Sequence, residues 1–507
     1  MEQELDNRLD SQLLNSQLLD SQLAAVTAAI ALTINGEAVL ITDVSPTTTL
    51  LEYLRLSRRT GTKEGCGDGD CGACTVAIIG SGSDGTAQYQ AVNSCLIPLG
   101  AVAGRQIVTV EGLATQGQTA ALHPVQAAMV QTGGSQCGYC TPGFVMSLFA
   151  AYYDGQNNDQ NNGQVDDLSV EGNLCRCTGY LSIRRAARLL AVAEEGDRFT
   201  QQLEQANPQI TPLHYSGLDH QFHRPTHLGE LLKLLVQHPT AMLVAGATDL
   251  GLELSHHRQD FPVLISLEAV VDLKQIQISP AQVEIGAAVP LSQIEAQLRG
   301  VFPCMDEMLH WFAARQVRNR ATLGGNIGTA SPIGDLPPVL LALNAELRLV
   351  SPAGERILPL ASFFKGYRQT DLQPAEVIAA VRIPRSPTAG AVRRLSQSYK
   401  IGKRGTDDIS IVAAAFVVDL DAKSRVVHAR LGYGGVAAIP IRAIAVETFL
   451  LGRLWNPDTV QLAKVMLKDT FTPLSDLRGS ADYRQQLVAN LFEKFFVEVT
   501  DPATQEV

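Results

Sequence analysis

Residues 65–74 read GCGDGDCGAC. They set Cys66, Cys71 and Cys74 as C-x4-C-x2-C, with Cys95 further on, which is the spacing of a plant-type [2Fe–2S] site. Such a centre needs four thiolates brought together by a loop that folds around it, and Gly65, Gly67, Gly69 and Gly72 permit the tight turns and the close approach of N–H groups to sulfur. A four-cysteine zinc site normally pairs its ligands as C-x2–4-C twice, whereas here three thiols share one loop. The flanking sequence is consistent with a small β-rich unit. AIALTINGEAVLITDV predicts two strands around the turn signal Asn35-Gly36. TTTLLEYLRLS predicts a helix with a threonine cap, and TVAIIG and RQIVTVEG predict two further strands. Together they predict a β-grasp, ferredoxin-like domain over residues 28–112.

A second cysteine group follows in a different setting. CGYC supplies Cys137 and Cys140, and CRC supplies Cys175 and Cys177. ALHPVQAAMVQTG, FVMSLFAAYY and SIRRAARLLAVAEE are apolar at helical spacing, so an all-helical domain is expected over 113–195. That setting argues against a thioredoxin-like reading of CGYC, which belongs with a βαβ unit. Two thiols one residue apart must reach a common centre from an irregular turn. Close pairs at helix N-termini would favour an anionic cluster. The polar insert DGQNNDQNNGQVDD is expected to be a surface loop. Eight of the nine cysteines are used in these two groups, and Cys304, in VFPCMDEMLHWFAA, is expected to be a buried apolar residue.

The chain has 507 residues, 46% apolar and 18% charged, which suits a globular protein of about three or four domains. No apolar run is long enough for a membrane span. The net charge of −11 disfavours nucleic acid as a partner. The acidic start MEQELDNRLDSQ lacks the basic region of an export signal, so the cytoplasm is the expected compartment. Residues 1–27, with their LDSQL repeats, are expected to form a disordered or frayed tail. The polar stretch 196–221 reads as a linker, 222–398 as an α/β domain and 399–507 as an α+β domain. In the α/β domain, GATDLG and TLGGNIGTASP are glycine-rich turns whose N–H groups can cradle a pyrophosphate. No GxGxxG follows a strand there, which disfavours a Rossmann-type site.

The strings GCGDGDCGACTV, QCGYCTPGFVMS and GNLCRCTGY together resemble the two-cluster module of the molybdenum hydroxylase (xanthine oxidase) family. The resemblance extends from about residue 28 through LVAGATDLGLE (243–253), FAARQVRNRATLGGNIGTASPIGDLPP (312–338) and YKIGKRGTDDIS (399–410). It implies a multidomain α+β chain with two [2Fe–2S] clusters and an FAD-binding domain of the vanillyl-alcohol-oxidase/PCMH type. The cluster ligands would be Cys66, Cys71, Cys74 and Cys95, then Cys137, Cys140, Cys175 and Cys177.

The same resemblance assigns FAD contacts to Leu243, Val244, Ala245, Gly246, Ala247, Thr248, Asp249 and Leu250, with Gly324, Gly325 and Asn326 on the diphosphate. Phe312, Thr322, Asp335 and Lys400 match further contact positions. Asp249 stands where many relatives carry Glu, and Gly405 and Thr406 replace more charged residues in a loop that influences access of NAD.

Family members hydroxylate a substrate at a molybdenum–pterin centre and pass the electrons through two clusters to FAD. The resemblance therefore implies an electron-transfer chain that names no catalytic acid or base of its own. A molybdopterin-binding large subunit would be its partner, in a heterotetramer with two copies of each. NAD is the expected acceptor and hypoxanthine and xanthine the expected substrates. An aldehyde or N-heterocycle enzyme of the same plan, and a redox-sensing or metal-storage protein without an enzyme's role, are the alternatives.

Overall fold

The computed structural model describes residues 29–114, 121–154, 164–191, 193, 196–405 and 407–500. The expected tail at 1–27, most of the Asn/Gln-rich insert, and Thr406 lie outside the described residues.

The first domain is a five-stranded sheet of β1 (Ile30–Ile34), β2 (Glu37–Ile41), β3 (Thr75–Ser81), β4 (Ala87–Asn93) and β5 (Gln106–Val108). Its order is β2-β1-β5-β3-β4, with β1 and β5 parallel. Asn35 and Gly36 make the hairpin turn with φ of 54° and 85°, the left-handed pair that matches strand twist in a two-residue connection. Thr49 caps helix Leu50–Leu56 by accepting the Glu52 N–H, while the Glu52 carboxylate accepts the Thr49 N–H at 2.7 Å. The sequence reading expects four strands here. The fifth, β4, pairs along all of β3 and leads directly into the short helical turn Ser94–Leu96 that carries Cys95.

Helices Pro124–Gln131, Thr141–Tyr152 and Leu181–Leu189 form the second unit. Phe144, Leu148 and Phe149 of the long helix share one buried cluster with Ala77, Ile79 and Tyr89 of the sheet. The two cysteine-bearing units are thereby packed on a common core.

The expected linker at 196–221 is structured. Asp197 caps helix Arg198–Gln205 by accepting the N–H groups of Phe199 and Thr200. β6 (Leu213–Gly217) pairs antiparallel with β7 (His220–Arg224), which runs across the expected boundary at 222. The stretch reads as polar because the helix buries little beyond Phe199 and the strand buries the polar His214 along with Leu213 and Tyr215. β8 (Met242–Val244) and β9 (Val263–Ser266) complete a sheet of order β6-β7-β9-β8.

A second sheet in the same domain has the order β10 (Ile276–Ile278), β11 (Gln282–Gly286), strand Val377–Pro384, β12 (Glu346–Ser351), β13 (Gly354–Pro359). The final sheet begins with strand Arg393–Ile401, which crosses the expected boundary at 399, and continues with Val412–Leu420 and Val426–Gly434. Helices Ile444–Leu450 and Ala481–Thr500 pack on it, and Pro457–Lys468 packs on both of them, before Ala481–Thr500 in the chain. The last of these, 20 residues long, is absent from the sequence reading. Cys304 is fully buried in the central core, and burial pushes its thiol up to about 12. Among the described residues no helix is long and apolar enough to cross a membrane.

Candidate functional site

The eight clustered cysteines are all free thiols, and they are arranged two by two. Cys66 pairs with Cys71, while Cys74 Sγ lies 3.3 Å from Cys95 Sγ. In the helical unit Cys140 pairs with Cys175, and Cys137 with Cys177. Among the described residues no three His, Cys, Asp or Glu side chains converge as they would around one ion. A two-iron centre with bridging sulfides needs two thiolates per iron, and these residues fit that demand at both places.

The glycine loop is shaped for the first site. A Cβ at Gly65 would stand 2.6 Å from Cys71 Sγ, and Gly67, Gly69 and Gly72 all have positive φ. The N–H groups of Asp68 and Cys71 donate to Cys66 Sγ at 3.3 and 3.4 Å. The Cys71 thiol and these N–H groups together hold Cys66 down at about 5, against the opposing effect of burial. Asn93, at the end of β4, donates from Nδ2 to the Gly69 carbonyl at 2.7 Å and pins the loop from below. Each site has an inner and an outer pair. Cys74 and Cys95 are buried with Leu51 and Leu96, and Cys175 is buried, whereas Cys137 and Cys177 are exposed.

The positions assigned to FAD lie on two neighbouring stretches. Leu243 and Val244 end β8, Ala245 to Asp249 form the turn, and Leu250 opens a short helix. Gly246 packs so closely on the Arg320 carbonyl that a Cβ would lie 1.9 Å from it. Thr322 caps helix Leu323–Gly328, and Gly324 sits against Ala287. A Cβ at Gly325 would approach Ala245 to 3.9 Å, so the two glycine-rich turns face each other. In the helix that Thr322 caps, the Asn326 Oδ1 atom is buried with no partner among the described residues. An orphaned acceptor beside two glycine-rich turns fits a nucleotide that brings hydroxyl and N–H donors.

The remaining assigned positions are dispersed. Phe312 ends helix Pro303–Trp311 and packs on the central core. Lys400 Nζ lies 2.9 Å from Asp335 Oδ2, and Ser410 donates to Asp335 Oδ1 at 2.5 Å, so these two form a buried network with each other. Asp249 is reached by Arg368 at 3.8 Å. In the loop after Lys400, burial and the nearby Asp70 carboxylate push Asp407 up to about 7.

The sequence reading misses the residues that join these sites. The Leu174 N–H donates to the Cys71 carbonyl at 3.0 Å, linking the two thiol pockets through one hydrogen bond. Gly251 lies on the Leu96 backbone, next to Cys95, with room for no Cβ. Glu268 binds Arg105 of the ferredoxin-like unit and Arg320 of the flavin-type domain. None of these has a local spacing signal, since each contact joins segments far apart in the chain.

Comparison with known proteins agrees with this layout. Residues 32–100 match a 2Fe-2S iron-sulfur cluster binding domain and 109–188 a [2Fe-2S] binding domain. Residues 218–386 match the FAD binding domain in molybdopterin dehydrogenase, and 397–499 the CO dehydrogenase flavoprotein C-terminal domain. Xanthine dehydrogenase 1 of Arabidopsis thaliana is 33% identical over 92% of this chain and 39% of its own length. Xanthine dehydrogenase/oxidase of Gallus gallus is 32% identical over 93% of this chain and 40% of its own. The chain thus spans about two-fifths of the length of these curated relatives. Among solved structures, carbon monoxide dehydrogenase from Hydrogenophaga pseudoflava aligns with 29% identity and a TM-score of 0.51, covering 56% of this chain and 96% of that one. Quinoline 2-oxidoreductase from Pseudomonas putida 86 aligns with 27% identity and a TM-score of 0.51, covering 56% and 97%. Two [2Fe–2S] domains followed by an FAD-binding and a flavoprotein C-terminal domain place this chain in the molybdenum hydroxylase family of oxidoreductases.

Proposed function

We propose that this chain is the electron-transfer part of an enzyme of the xanthine dehydrogenase kind, serving a molybdenum–pterin centre on a partner polypeptide. The observation that carries this reading is the joining of two paired-thiol pockets and a flavin cradle in one folded chain, with Leu174 N–H on the Cys71 carbonyl between the pockets. When bound, the clusters carry single electrons and the flavin gathers two of them for NAD. The protein's own task is position and environment. The N–H groups of Asp68 and Cys71 stabilise negative charge at Cys66, and burial of Cys74 and Cys95 keeps water from that pair.

Exposed Cys137 and Cys177 lie among the exposed side chains of Tyr139, Leu174 and Leu181, which suits a face covered by the molybdopterin-binding partner. We read the whole as a cytoplasmic heterotetramer with two copies of each subunit. Eight free thiols suit a reducing compartment. Hypoxanthine and xanthine are favoured as substrates by the relatives that align along nearly the whole chain. The likeness to quinoline 2-oxidoreductase favours a second reading, an N-heterocycle enzyme of the same plan. Turnover of xanthine against quinoline by the chain with its partner separates the two.

Metal and flavin analysis with EPR tests the main reading. About four irons and about one FAD per chain, two distinct reduced signals, and flavin reduced by NADH are expected. Two irons would remove the second site, and bound zinc without flavin absorbance would remove the proposal.

A further inference from the structure

Three units of the chain meet at one buried amide. Asn173, two residues before Cys175, is 2% exposed, and its Nδ2 donates to the Gly72 carbonyl of the first thiol loop at 2.9 Å. Its Oδ1 accepts from Ser147 Oγ at 2.6 Å and from Gln316 Nε2 at 3.1 Å. Ser147 lies on the helix that begins next to Cys140, and Gln316 belongs to the flavin-type domain. Gln316 Nε2 also donates to Ser147 Oγ at 2.9 Å, and both residues are buried.

Around this node the backbone is packed with no room for side chains. A Cβ on Gly143 would stand 2.1 Å from the Gly72 carbonyl, and one on Gly172 would stand 2.1 Å from Gln316 Oε1. Two donors on Oδ1 fix the amide so that Nδ2 can face only the Gly72 carbonyl, with the Thr75 hydroxyl oxygen 3.4 Å away as a weaker partner. One side chain therefore holds the loop between Cys71 and Cys74 against the segment that carries Cys175.

Resting on the function proposed above, we infer that Asn173 is a positioning residue for electron transfer, setting the spacing of the two cysteine pockets, and that Gln316 locks its orientation from the flavin side. The transfer moves one electron from the centre at Cys137, Cys140, Cys175 and Cys177 to the one at Cys66, Cys71, Cys74 and Cys95, and makes or breaks no bond. The rate of such a transfer falls as the two centres move apart, so a change in their spacing is read in the rate. Asn173 touches no iron ligand side chain in the hydrogen bonds it makes, so its effect is on distance and not on ligation.

The test uses the full chain, reduced and frozen for EPR, with N173A, G143A and Q316M beside the parent. Magnetic splitting between the two reduced centres reports their separation without reference to turnover. In N173A and G143A both individual signals and the iron content are expected to persist while the splitting weakens and rapid-mixing transfer between the centres slows. Q316M is expected to give the same change in smaller degree, and N173A/Q316M no more than N173A alone. Unchanged splitting and rate in both N173A and G143A, with iron intact, would overturn the inference. If N173A loses iron, G143A and Q316M decide, and unchanged splitting in both overturns it. A parent protein with only one cluster signal would instead overturn the proposed function.

Discussion

Glu268 carries an ionic contact between domains that no local pattern announces. Burial alone would raise its carboxyl, but the charges of Arg105 and Arg320 and the hydrogen bond from Arg320 outweigh that and hold it at about 2. A carboxylate lowered in the folded state adds stability above its ordinary value of 4.5, and that stability is lost as pH falls from 4.5 towards 2. E268Q leaves two nearly buried guanidiniums without their counter-charge, and removing one partner of a buried pair costs about 3–5 kcal/mol. Urea melts of the two proteins at neutral pH, repeated below pH 4.5, measure this. A loss below about 1 kcal/mol, the scale of an exposed pair, would sink the argument. Asn326 makes the opposite kind of case. Its buried Oδ1 has no acceptor role filled among the described residues, and an unmet polar atom costs about 1–3 kcal/mol. If FAD fills that role, N326A binds FAD about tenfold more weakly while keeping its iron, as read from the flavin-to-iron ratio after dilution. An unchanged ratio would mean that the nucleotide does not use this atom.

At the scale of elements, glycines with and without room above them separate helix propensity from docking. Gly229, in helix Leu228–Gln237, would place a Cβ in open space, so G229A is expected to stabilise the chain by about 0.5–1 kcal/mol. Gly251, in helix Leu250–Ser255, would place its Cβ 2.3 Å from the Leu96 carbonyl, and backbone cannot swing aside. G251A should therefore destabilise by about 1–3 kcal/mol despite the same gain in propensity. Thermal melts of the pair with equal flavin loading check both signs, and a stabilised G251A would show that the helix does not bear on Leu96. The same contrast explains what could be read in advance. The Asn35-Gly36 hairpin, the Thr49 cap and the cysteine spacings are local, so a few residues specify them. The helix at 198–205 hid in polar sequence because it buries little beyond Phe199, and strand β6 because one of its buried residues is the polar His214. Asn173, Gln316 and Glu268 were invisible because their partners lie up to 169 residues away. The glycine-rich turns could be picked out by composition, while their assignment to FAD rested on the family resemblance and their facing geometry needed β8 and the Thr322-capped helix to be set side by side.

For the molecule as a whole, the two thiol pockets differ in what surrounds them. Cys74 and Cys95 are 2% and 1% exposed and share a small apolar cluster with Leu51 and Leu96, roofed by the helix after the flavin turn. The helical unit buries Cys175 but leaves Cys137 and Cys177 at the surface, beside a row of exposed apolar side chains. An attacking chelator or oxidant needs access to a ligand, so the outer pair of the second pocket is the point of entry in the chain without its partner. Iron should then leave the isolated chain in two phases of similar size, the fast one carrying the EPR signal of the second centre and the slow one that of the first. If the proposed molybdopterin-bearing partner covers the surface that exposes Cys137 and Cys177, adding it should slow the fast phase selectively. The measurement is iron released to a chelator over time, with the two EPR signals followed in parallel. Loss of the first centre ahead of the second would show that burial of Cys74 and Cys95 does not shield it, and a fast phase indifferent to the partner would place the docking face elsewhere on the chain.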